Sequence, residues 1–150
     1  MTPDDFLTSL ARGSGGSLSL HDRGCILTLP GKPEITIRRD LNTGGVYLSA
    51  NLMELPEQHS ERLAMRFLKE NLHGVLPGGA AAFAYNAGVG MLVLWEKINT
   101  ENAAPAVMQQ IATFRQAVCR WLQRIEDDEL DVIETDIAYP PPTPRGGTMA

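Results

Sequence analysis

The sequence predicts an α+β fold in which a helix, three strands, a second helix, two strands and a third helix follow one another. Two kinds of pattern predict it. In some segments apolar and polar residues alternate, as in strands with one wet face, and in others apolar residues recur every three or four positions, as in helices packed on one side. Because the turns between neighbouring strands are short, the sheet is expected to be antiparallel and twisted.

The first helix is predicted to begin at the N-terminus. Thr2 can cap it, Pro3 suits the first helical position, and Asp5 can complete a capping box. Its apolar residues Phe6, Leu7 and Leu10 lie on one side. The Gly/Ser run at 13–17 ends the helix and is interpreted as a flexible hinge that ties it only loosely to the rest.

Three strands follow, at 25–29, 34–38 and 46–50, and residues 18–20 either extend the first of them or form a short strand of their own. The runs at 30–33 and 42–45 contain the glycine, proline and asparagine that tight turns need. A second helix is predicted from Pro56 to about Leu72, with Gly74 as its end.

The second half continues with a hairpin of residues 80–85 and 90–95 around Asn86-Ala87-Gly88. The third helix is expected to begin near Asn102, a good cap residue. Its apolar stripe consists of Val107, Ile111, Phe114, Val118, Trp121 and Ile125. Residues 1–125 are therefore interpreted as one domain, and residues 126–150, acidic and then proline-rich, as a mostly disordered tail.

Composition excludes several classes of function. The 150 residues carry a net charge of −5, and the acidity lies in the tail, whereas residues 1–125 are nearly neutral. Without a basic stripe, nucleic acid is not an expected partner. The N-terminus does not resemble a signal peptide and no run approaches the roughly 20 apolar residues of a membrane span, so a soluble cytoplasmic protein without membrane insertion is expected.

No pattern of catalytic or ligand-binding residues stands out. The histidines His21, His59 and His73 and the cysteines Cys25 and Cys119 have no metal-ligand spacing. The glycines at 88 and 90 lead into a strand instead of a helix, so they do not form a phosphate-binding loop. We therefore expect no enzyme activity, no cofactor and no metal, and a protein that works by presenting a surface.

Three local patterns, together with the element order, carry a resemblance to a known family. They are LHDRGCIL at 20–27, VYLSANLMELP at 46–56, and FLKENL at 67–72 followed by GAAAFAY at 79–85 and GMLVL at 90–94. Placed in this order over residues 4–125, the chain resembles the class I chaperones of bacterial type III secretion, the CesT-like family. Its near-neutral folded part and glycine-rich segment after the first helix depart from the family's usual pattern.

The resemblance implies a homodimer that binds the N-terminal chaperone-binding segment of a secreted effector in extended form. Without ATP, it would keep that client export-competent. The expected effector-binding residues, each of which could instead be plain core, are Leu7, Leu10, Leu18, Leu20, Leu27, Leu29, Ile35 and Ile37. The expected dimer interface joins the second helix to the last strands through Leu63, Met65, Phe67, Leu92 and Leu94, although some of these must be ordinary core residues. A dimer also fits the apolar content of the sheet and the second helix, which exceeds what one such domain covers.

Two other readings stay open at this point. One is an α+β adaptor that binds folded partners and is unrelated to secretion. The other is a small-molecule-binding or catalytic domain in which the hairpin 80–95 forms a pocket wall.

Overall fold

The computed structural model describes residues 2–21, 24–56, 60–73 and 81–129. These residues form three α-helices, six strands and a π-helical turn at Ile125–Glu129. The helices are α1 (Pro3–Ser14), α2 (Ser60–His73) and α3 (Ala104–Arg124). The strands are β1 (Ser17–His21), β2 (Gly24–Thr28), β3 (Thr36–Arg39), β4 (Val46–Glu54), β5 (Ala82–Asn86) and β6 (Met91–Ile98).

All six strands belong to one sheet of order β1-β2-β3-β4-β6-β5, in which every neighbouring pair is antiparallel. The first four strands form a meander, and the β5–β6 hairpin adds to β4 through β6. The predicted α+β class with three helices and an antiparallel sheet is confirmed. Of the two possibilities for residues 18–20, the structure shows the separate strand, because β1 pairs antiparallel with β2, with Leu18 opposite Leu27.

Helix α1 begins as the sequence predicts. The Thr2 hydroxyl accepts a hydrogen bond from the Asp5 backbone N–H, and the Asp5 carboxylate accepts one from the Thr2 N–H. Gly15 ends the helix in the left-handed conformation, with a φ of 74° that favours glycine.

The prediction that α1 is loosely tied is wrong. A Cβ atom on Gly16 would lie 2.7 Å from Leu27 Cδ1 and 2.8 Å from the Thr28 carbonyl oxygen, so the backbone here passes tightly against β2. Leu7 is fully buried, and Arg39 Nη1 lies 3.9 Å from an Asp4 carboxylate oxygen. Gly16 is therefore not a hinge. Its lack of a side chain lets the segment after α1 pack closely against β2.

The start of α3 differs from that predicted, whereas the predicted limits of α2 fall at or beside residues that the structure does not describe. Residues 57–59, next to the expected start at Pro56, and the expected end at Gly74 lie outside the described residues. Helix α3 is not capped by Asn102: Ala103 is the cap residue and its side chain makes no cap hydrogen bond. Of the predicted tail, residues 126–129 complete the π-helical turn, and residues 130–150 lie outside the described part.

The three helices pack on one face of the sheet and enclose the core. Contacts run from α1 to β1, β2 and β3, from α3 to β4 and β6, and from α2 to β5. Cross-strand pairing places Leu27, Ile37 and Leu48 in one buried row, and this row continues into Glu96. The buried Glu96 carboxylate accepts a hydrogen bond of 2.6 Å from the Gln110 side-chain amide, which satisfies it and holds α3 in register with β6.

An aromatic cluster joins α2, β5 and α3 at the other end of the core. The Phe67 ring packs edge-on against Phe83, with centroids 4.9 Å apart, and against Trp121 at 6.1 Å. Phe83 and Trp121 are themselves 4.8 Å apart. The Arg124 guanidinium lies over the Trp121 ring at 4.1 Å from its centroid, where the cation and the ring face attract. This cluster fixes α2 to the last hairpin.

Candidate functional site

The β1 edge of the sheet exposes leucine side chains. β1 is the terminal strand in the sheet order. Two of its residues, Leu18 and Leu20, are 40% and 83% exposed. A further chain can pair with an edge strand along its outer side, so exposed leucines here favour association with another chain.

These leucines are exposed because the helical layer thins towards β1. Leu18 lies directly across from Leu27, on the same face of the sheet, yet Leu27 is completely buried under the helices. Contacts between α1 and β1 cover the strand in part. The outermost apolar row of this face is therefore left partly open, and an extended segment added beside β1 would bury it.

The structure divides the eight predicted effector-binding residues into two groups. Leu18 and Leu20 are exposed on β1. The other six are buried core residues of the chain: Leu7, Leu10, Leu27, Leu29, Ile35 and Ile37. Buried side chains offer a partner little surface, so an extended partner beside β1 would contact chiefly Leu18 and Leu20.

The predicted dimer residues divide in the same way. Leu63, Phe67, Leu92 and Leu94 are buried in the core, whereas Met65 of α2 is 58% exposed. Leu68, one helical turn further on, is also exposed.

The open face of the sheet, opposite the helices, was not predicted from the sequence. Tyr47 and Trp95 meet there edge-to-face, with centroids 6.2 Å apart and ring planes at 86°. A wide groove runs across this face and is lined partly by Arg38, Ser49 and Val93. The signal lay in β6, where Val93 and Trp95 alternate with the buried Leu92 and Leu94 and must therefore point to the opposite face.

The environment of Tyr47 is mixed. Burial raises the pKa of the Tyr47 hydroxyl, while the nearby Arg38 guanidinium acts in the opposite direction. In the folded protein the Tyr47 hydroxyl therefore stays protonated well above neutral pH. The contribution of the neutral phenol to stability is lost as the pH rises above 10 through the folded pKa. At the pH of a cell this part of the groove is aromatic and carries the positive charge of Arg38.

A second, smaller groove lies between α3, the end of α1 and the β2–β3 turn. Met108, Ile111 and Leu29 supply its apolar lining. The Arg115 guanidinium donates hydrogen bonds to the carbonyl oxygens of Pro33 at 2.9 Å and Pro30 at 3.0 Å, so the turn is fixed to α3.

Two further findings concern the part of the chain that the structure describes. No helix there is both long enough and apolar enough to cross a membrane. No group of three or more His, Cys, Asp or Glu side chains there is arranged to hold a metal ion.

Comparison with known proteins identifies a family and a set of similar folds. The model of the Tir chaperone protein (CesT) family matches residues 5–122. A search of curated proteins found no match. The resemblance read from the sequence is therefore confirmed by the family match.

Three solved structures share the fold. The ExsC-ExsE complex contains a chain that matches with a TM-score of 0.55 at 18% identity, over 82% of this chain and 96% of that one. The HopA1-SchA chaperone-effector complex matches with a TM-score of 0.51 at 17% identity, over 80% and 89%. The heterodimeric ExoU-SpcU complex from the type III secretion system of Pseudomonas aeruginosa matches with a TM-score of 0.50 at 19% identity, over 81% and 96%.

Proposed function

Because the chain belongs to the Tir chaperone protein (CesT) family, we propose that it is an ATP-independent chaperone of a type III secretion effector. It binds the N-terminal chaperone-binding segment of that effector in extended form in the cytoplasm and keeps it export-competent. Two of the proteins with a similar fold support this proposal, since one is from a chaperone-effector complex and another from a type III secretion system.

The observation that carries the proposal is the exposure of Leu18 and Leu20 on an edge strand. An extended segment that pairs with β1 gains main-chain hydrogen bonds, and every second side chain of the segment meets the leucine row. This mode of binding recognises the client's free backbone groups and the spacing of its apolar side chains, so it suits an unfolded client better than a folded one. Because residues 1–125 are nearly neutral, apolar contact is the main attraction between this domain and its client.

A binding experiment tests the proposal. The probe is the N-terminal segment of the secreted protein whose gene neighbours that of this chain, added to the full-length chain and followed by amide hydrogen exchange. New protection is expected in residues 17–21, since the segment would bond to the outer side of β1. Binding only to the folded part of that protein, with residues 17–21 unchanged, would instead identify an adaptor.

We also propose that the chaperone is a homodimer. Exposed apolar side chains remain on α2, at Met65 and Leu68, and on the strands of the last hairpin, at Tyr85 and Trp95. These side chains are the candidates for an interface, because contiguous exposed apolar residues on a protein surface typically mark one.

Sedimentation equilibrium at micromolar concentration is expected to give about twice the chain mass of 16.4 kDa. Met65→Asp should shift the distribution towards the monomer without changing the cooperative melt, because this side chain is exposed in the single chain. A wild-type protein that sediments as a monomer would contradict the dimer.

A further inference from the structure

The two edges of the sheet are built differently. At the edge opposite β1, the side chain of Asn71 from α2 reaches the backbone of β5. The Phe83 N–H donates a hydrogen bond to Asn71 Oδ1 at 2.6 Å, and Asn71 Nδ2 donates one to the Phe83 carbonyl oxygen at 3.0 Å. One amide side chain thus binds both polar groups of a single edge residue.

These two groups of Phe83 are the ones that an added strand would use. In an antiparallel ladder, residues alternate between those bonded to the neighbouring strand and those whose N–H and C=O point away from it. Phe83 lies opposite Leu94 of β6, and both its backbone groups are bound on the side away from β6. Phe83 is therefore an outward-facing position of the edge, and Asn71 stands where a partner-strand residue would stand.

Little of the β5 edge remains beyond this contact. β5 spans Ala82–Asn86, so the next outward-facing residue is Tyr85, and the hairpin turn starts directly after Asn86. A new strand would have to displace the Asn71 amide and its two hydrogen bonds before it paired with the middle of β5. The β1 edge, in contrast, carries the exposed Leu18 and Leu20.

We propose that Asn71 closes the β5 edge and thereby directs the addition of extended polypeptide to the β1 edge alone. Each protomer then takes up one strand of its client, and copies of the protein do not polymerise through their sheets. The identity of the added strand rests on the proposed function. The closure of β5 does not, because it can be measured without any client.

Asn71→Ala is the first test, with Asn42→Ala, at an exposed asparagine in the β3–β4 turn, as the matched control. In Asn71→Ala the exchange of the Phe83 amide should accelerate at least about tenfold, since its acceptor is gone, and the melting temperature should fall by about 5 °C. Sedimentation velocity over increasing protein concentration should show species larger than those of the wild type. The control should match the wild type in all three measurements.

Two results would overturn the proposal: an unchanged Phe83 exchange rate, or an exposed Phe83 amide with no change in self-association. If Asn71→Ala does not fold, Asn71→Asp takes its place. The carboxylate can still accept a hydrogen bond from the Phe83 N–H but cannot donate one to the Phe83 carbonyl oxygen. One of the two hydrogen bonds is therefore lost, and weaker self-association than in Asn71→Ala is expected.

The wild-type protein separates this inference from the proposed function. With the effector segment bound, residues 82–86 should gain no protection, and protection there would overturn the closure of β5 by Asn71. Absence of new protection at residues 17–21 would instead contradict the proposed mode of client binding, and the self-association of Asn71→Ala would still decide the role of Asn71.

Discussion

Phe67→Ala is expected to lower the free energy of unfolding by about 3–5 kcal/mol, the range for truncation of a buried aromatic side chain. Phe67 is 1% exposed and contacts the rings of both Phe83 and Trp121. Its removal would leave a cavity at the junction of α2, β5 and α3 and would break two edge-to-face ring contacts, each worth about 0.5–1.5 kcal/mol beyond area burial.

Urea unfolding followed by tryptophan fluorescence measures this loss, because Trp121 lies in the same cluster. Met65→Ala is the matched control: it lies on the same helix, two residues earlier, and is 58% exposed, so a change below about 1 kcal/mol is expected. Similar small losses for both variants would place Phe67 outside the core. Phe67→Asp should unfold the chain rather than split a dimer, since Phe67 is a core residue of one chain.

Leu20→Asp is expected to weaken binding of the effector segment by about 30-fold or more, equivalent to roughly 2 kcal/mol, the size of an interface hot spot. Leu20 is the most exposed large apolar side chain among the described residues, at 83%, and lies on the β1 edge. A carboxylate there would have to be desolvated when the client strand covers it, and it would no longer offer an apolar surface.

The fold should survive this substitution, because a side chain that is mostly in water contributes little to the core. Isothermal titration calorimetry gives the affinity, and a thermal melt checks the fold. Leu41→Asp, at a 53% exposed leucine in the β3–β4 turn, is the control and should bind at wild-type affinity. Full affinity in both Leu20→Asp and Leu18→Asp would show that the client binds elsewhere on the protein.

Local patterns in the sequence predicted the element order well. The capping box of Thr2 and Asp5, the alternation at 46–50 and the apolar stripe of α3 each correspond to an element of the structure. Such features depend on neighbours within one or two turns of chain, which a sequence displays directly. The cap of α3 was mispredicted because Asn102 instead enters a turn in which its N–H donates to the Asn99 carbonyl oxygen.

The candidate site was predicted less completely, and the reason is geometric. Alternation shows which residues of a strand share a face, but it does not show what covers that face. Leu18 and Leu27 follow the same pattern and lie across from each other, yet only Leu27 is covered by the helices. Residue type was also ambiguous at Gly16, because flexibility and close packing both favour glycine. A Cβ atom there would lie 2.7 Å from Leu27 Cδ1, so close packing explains this glycine.

By itself, the sequence determined the α+β class, the order of helices and strands, and the resemblance that the family match confirms. Only the tertiary structure decided which apolar residues are core, that β1 and β5 are the two edges, and that Asn71 lies against Phe83 twelve residues away. The physical reason is how far apart along the chain the contacting residues lie. Helix caps and turns arise from contacts between near neighbours in the chain, whereas exposure and edge closure arise where distant segments pack together or fail to.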